Sequence, residues 1–188
     1  MSLVLTDLVT PVAGLVVSCA IAAVLFWAAQ SKGATFSKFT DTVQATLGLS
    51  FSRNLARLIA GGVLLLEIAA VVACLAPGLT RVAAVLVAVL GVAFAAAGAI
   101  ALVRRERIVC NCFGARTDGK DRHLGWTHVA LLPVWLIAAA VIATPRPTGA
   151  PVVEAATLLV MVAVALGRAA GTAVRALGRL RHERLLFN

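Results

Sequence analysis

Two thiols stand one residue apart in Cys110-Asn111-Cys112, followed by Phe113-Gly114, inside a polar stretch of an otherwise apolar chain. A disulfide closed across so short a spacing is strained, and strain raises its reduction potential, so the pair suits exchange better than permanent cross-linking. Exchange requires a thiolate. Arg104, Arg105 and Arg107 upstream and Arg116 downstream supply positive potential that favours one, and the loop setting gives access. Gly114 lets the backbone turn after the pair, and Phe113 is placed to anchor the loop. Two other readings use the same residues. Closely spaced thiolates bind Cu(I) or Zn(II), with Cys110, Cys112 and His123 or His128 as ligands, although C-x-C is a weaker zinc spacing than C-x-x-C. The remaining reading is a loop without chemistry that docks a partner.

Further residues bear on the same question. Glu67 falls near the middle of an apolar run, where an ionised carboxylate costs several kcal/mol unless it is paired, protonated or wetted. It is expected to face the interior of a helix bundle, either as a proton relay or an anchor for a quinone-like or thiol substrate, or as an interhelical hydrogen-bonding group. His128 follows Trp126 at the start of another run, close in depth to the cysteine loop. It is a candidate base for a thiol, although a His at that position also serves as an interfacial residue. Cys19 and Cys74 lie within apolar runs at different depths and read as small hydrophobes.

The elements that must position these groups follow from composition. Of 188 residues, 61% are hydrophobic and 13% charged, with a mean hydropathy of +0.99. A soluble domain of this size has too much surface to hide so much Ala, Val and Leu. Spanning a hydrocarbon layer of ~30 Å takes about 20 apolar residues as helix. Five runs meet that length: Leu8–Ala29, Leu55–Ala76, Arg81–Val103, Leu124–Ala143 and Val152–Ala170. None alternates as a barrel strand does, so the expected fold is all-α, a polytopic membrane bundle of about five helices. Residues 1–143 form a four-helix domain, and 144–188 add a fifth helix and a basic tail. Phe36, Phe39, Val43 and Leu47 recur at helical spacing between the first two runs and predict an amphipathic helix at the membrane interface. Pro77-Gly78 predicts a tight turn, Gly91, Ala95 and Ala99 a close-packing stripe, and Pro133 either a kink in the fourth helix or a residue accommodated there.

The net charge of +9 does not indicate nucleic acid, because the basic residues cluster between apolar runs. With the N-terminus outside, every Lys and Arg except Arg81 and Arg146 falls on the cytoplasmic side, Lys32 and Lys38 of the first connection included. That asymmetry predicts a multi-pass protein of the cell (inner) membrane with its C-terminus and C-x-C loop cytoplasmic. Residues 1–7 contain no Lys or Arg, so the positive start of a cleaved signal peptide is lacking.

In order along the chain come an apolar helix, Ser31-Lys32-Gly33, an aromatic segment from Phe36 to Phe39, and Leu66-Glu67 in a second helix. Arg104-Arg105-Glu106-Arg107, Cys110-Asn111-Cys112-Phe113-Gly114, Trp126 and His128 follow. Over about Leu8 to Ala143 this order resembles the MauE family of methylamine-utilisation membrane proteins, related to DoxX-like redox-associated proteins. The resemblance implies a membrane protein that assists maturation of a partner through disulfide formation, beside a thioredoxin-like or other redox protein, within or outside a larger membrane complex. It implies Cys110 and Cys112 as the redox pair. Apart from the resemblance, the residues themselves fix no cofactor, and a quinone or a redox-active disulfide is the candidate. Disulfide formation outside the cytoplasm would want the pair on the opposite face from the one that the charges indicate. The fifth helix and basic tail extend past the resemblance.

Overall fold

A computed structural model describes residues 2–48, 52–76, 78–110 and 123–144, and those of 155–167 other than 158, 162 and 166, with side chains from residue 12 onward. The described residues form six helices: α1 (Ser2–Ala34), α2 (Phe36–Leu47), α3 (Arg53–Leu75), α4 (Thr80–Arg104), α5 (Trp126–Ala130) and α6 (Leu132–Ile142). Residues 155–157, 159–161, 163–165 and 167 are also helical. Val12–Ala34, α3 and α4 are each long and apolar enough to cross a membrane, while Trp126–Ile142 is a shorter apolar stretch. The fold is an all-helical membrane bundle, as composition predicts.

Local sequence explains the boundaries. Ser52 opens α3 by accepting the Leu55 N–H on its hydroxyl at 3.3 Å, which satisfies one of the donors that a helix start leaves open. Gly78, at φ 82°, occupies the left-handed region that glycine reaches without cost and reverses the chain between α3 and α4. Arg105 closes α4 at φ 56°, donating its N–H to the Leu102 carbonyl, while Glu106 N–H bonds Ala101. The fourth apolar run divides at Leu131 into α5 and α6, because Pro133 has no N–H to continue the ladder. The backbone nevertheless stays right-handed helical at Leu131, whose N–H donates to the Thr127 carbonyl and whose own carbonyl accepts from the Trp135 N–H.

α1 packs on α3 and α6, and α4 packs on the same two, closing a ring of four helices. Their shared core is built of small and branched side chains: Ala22 and Leu25 of α1, Ala70 and Cys74 of α3, Val87 and Leu90 of α4, Ile142 of α6. Outward positions carry Leu58, Leu65, Val72, Val85 and Val103. That inversion of soluble patterning is expected where lipid is the solvent. The close-packing stripe of α4 runs through Gly91, Ala95 and Gly98, all buried, whereas Ala99 is only half-buried. A Cβ on Gly91 would lie 2.5 Å from that of Trp135, and one on Gly98 would lie 2.8 Å from that of His128.

α2 packs along α3, with Phe39, Thr40 and Thr42 buried. Its C-terminal carbonyls, Thr46 and Leu47, accept from the Arg104 guanidinium at 3.1 and 3.3 Å. Beyond α6, the Thr157 hydroxyl donates to Cys19 Sγ at 3.5 Å, tying the last described segment to α1.

Candidate functional site

The segment after α4 is held at three points. Val109 and His123 form an isolated antiparallel bridge, Leu124 N–H donates to the Ile108 carbonyl at 2.8 Å, and the Thr42 hydroxyl reaches the Val109 carbonyl at 3.1 Å. Residues 108–110 are thereby drawn against 123–124 and against α2. Ile108 and Leu124 are buried with Ala101, and Cys110 packs half-buried on that cluster beside Ala45 and Ala97. A thiol next to a bridged backbone segment is restrained in position while it keeps an open side.

His128 enters from α5. Gly98 makes this possible, because the Cβ it lacks would stand 2.8 Å from the His128 Cβ and 2.9 Å from the Gly125 carbonyl. At this distance α5 lies directly on α4, and His128 Nε2 stands 3.4 Å from Cys110 Sγ. Its other ring nitrogen lies 3.4 Å from the Thr127 hydroxyl. The pairing brings a base within reach of a thiol, which is the geometry needed to form a thiolate.

Of the residues singled out from sequence, Cys110 and His128 come together, and Glu67 does not join them. Cys112 lies outside the described residues, as do Asn111, Phe113, Gly114 and Arg116. His123 is exposed on the bridge, and the described residues gather no group of three metal-ligating side chains. Arg104 turns away to the end of α2, and Arg105 and Arg107 are exposed.

Glu67 faces the interior, as expected, but its partner is one that sequence reasoning placed elsewhere. Lys32, counted as a cytoplasmic topology charge, is fully buried and ion-paired with Glu67, itself fully buried. The physical reason is that α1 continues past the end of the predicted run to Ala34, which carries Lys32 into the bundle instead of onto a connection. A mid-bundle carboxylate without an apolar escape needs a cation, and that need was the available signal. The Lys32 ammonium also lies 5.3 Å from the centre of the Phe39 ring and 4.9 Å from that of Phe94. Cys74 is buried and Cys19 half-buried.

No curated protein and no solved structure matches the chain. A family model described as methylamine utilisation protein MauE matches residues 10–166, a region that contains both the Cys110–His128 contact and the Lys32–Glu67 pair. The chain is therefore a member of the MauE family of membrane proteins.

Proposed function

We propose that this membrane protein carries out thiol–disulfide exchange through Cys110 and Cys112. The observation that supports it is the 3.4 Å approach of His128 Nε2 to Cys110 Sγ. His128 takes the Cys110 proton, and the thiolate attacks one sulfur of a partner's disulfide, forming a mixed disulfide and releasing the other sulfur as a thiolate. Cys112, one residue along, then attacks Cys110 Sγ and frees the second partner sulfur. The net change is one partner disulfide reduced to a dithiol and one Cys110–Cys112 disulfide formed. Run backwards, the same steps oxidise a partner's dithiol. The partner suited to this exchange is a thioredoxin-like protein, whose own pair is accessible.

The basic residues of the tail and of the connections favour the cytoplasmic face of the cell membrane for this site. Labelling of Cys110 in intact cells by a membrane-impermeant maleimide would reverse that orientation.

Glutathione disulfide is a sufficient probe of the exchange. A C112S variant should accumulate a glutathione adduct on Cys110, visible in the intact mass, whereas the parent resolves it to an internal disulfide. If parent and C112S hold equal adduct, Cys112 resolves nothing and the exchange reading fails.

A further inference from the structure

The Lys32–Glu67 pair takes no part in that exchange, and packing alone does not explain it. Taking two charges out of water is costly, and apolar residues of similar volume would hold the helices at least as well. Both side chains are fully buried, and the pair uses only Oε1 of Glu67. Oε2 is buried with no hydrogen-bond partner among the described residues. What that oxygen lacks is a donor. The ammonium is flanked by the Phe39 and Phe94 rings, so the surroundings of the pair are aromatic as well as charged.

A molecule supplying the donor must enter a helix bundle clad in lipid. It must therefore be lipid-soluble, carry an O–H, and present a flat ring to two phenyl groups. We propose that the Lys32–Glu67 pair binds the phenolic headgroup of a lipid-soluble quinol. The quinol O–H donates to Glu67 Oε2, its oxygen accepts from the Lys32 ammonium, and the ring packs against Phe39 and Phe94. The oxidised quinone has no O–H and leaves Oε2 without a donor, so the site prefers the reduced form. This goes beyond the thiol reading and does not depend on it.

Trp135 is a built-in reporter, its ring centre 6.1 Å from that of Phe94. In a W27F/W126F background it is the sole tryptophan of the three. The purified protein in lipid nanodiscs is titrated with a short-tailed benzoquinol and with its dimethyl ether, which keeps ring and tail but has no O–H. The expected result is a saturable change in Trp135 emission with the quinol and binding about ten-fold or more weaker for the ether, as for loss of a charge-assisted hydrogen bond. K32M/E67L, which removes both charges together, should show the same loss, and C110S/C112S should bind as the parent does. E67Q, which keeps the side chain's size, is measured alongside and should also bind at least several-fold more weakly, so that a folding defect in the double variant does not decide the matter. Emission that only tracks partition into the bilayer would mean that Oε2 is served by water alone. That result, or equal affinity for quinol and ether, or undiminished binding by a folded K32M/E67L or E67Q, overturns the proposal.

Discussion

Two polar centres among the described residues are built in opposite ways. Cys110 and His128 meet at the end of the bundle, half-buried, with the thiol on a bridged segment and the imidazole on a five-residue helix. Lys32 and Glu67 meet inside the bundle, fully buried, on two long helices. Glu67 stands roughly 21 Å along α3 from Arg53 and roughly 12 Å from Leu75 at 1.5 Å per residue. The first centre rests on a short helix and a bridged segment, so few groups would have to move for the proposed exchange. The second is enclosed by residues of α1, α2, α3 and α4, so loss of one partner of the ion pair is felt first as stability.

The largest expected effect comes from splitting the buried pair. Glu67→Leu alone strands the Lys32 ammonium among apolar groups and should cost about 3–5 kcal/mol, read as a lowered thermal midpoint in detergent. K32M/E67L should recover most of that loss. If the single variant is as stable as the parent, the pair is not a buried ion pair in the membrane.

Gly98→Val is expected to come next. Its side chain would drive into the His128 Cβ and the Gly125 carbonyl, costing about 1–3 kcal/mol from overpacking and pushing α5 away from Cys110. Both the thermal midpoint and the maleimide reactivity of Cys110 should fall. His128→Ala separates the two centres most cleanly: alkylation of Cys110 near neutral pH should slow by about ten-fold or more, with the thermal midpoint little changed. Equal alkylation rates would remove His128 from the mechanism. Arg104→Ala should have the smallest effect, at most about 1 kcal/mol, since the bonds to Thr46 and Leu47 lie at an exposed helix end.

The same contrast explains what could be read from sequence. The apolar runs predicted α1, α3 and α4 to within a few residues at most ends, because burial in lipid demands continuous hydrophobicity. The Cys110–His128 approach was legible as shared depth, since a loop after one helix and the start of the next meet at one membrane face. Lys32 was not. Sequence places it at the end of an apolar run beside polar residues, where a lysine reads as a topology signal, and only the packing of α1 on α3 reveals Glu67 as its partner. Gly98 was hidden for a similar reason: Gly91, Ala95 and Ala99 fit a four-residue repeat, whereas the buried face of a 3.6-residue helix turns through Gly98 instead. The interruption at Leu131 follows from Pro133, but proline alone does not distinguish a kink from a helix that accommodates it.

The proposed exchange requires Cys110 and Cys112 to form a reversible pair. Its most direct test is the intact mass of the protein after alkylation, with and without prior reduction, in a C19A/C74A background. Under mild oxidation the account predicts no alkyl groups added, and two after reduction. Two alkyl groups added in both conditions would show thiols that never pair, and would contradict it.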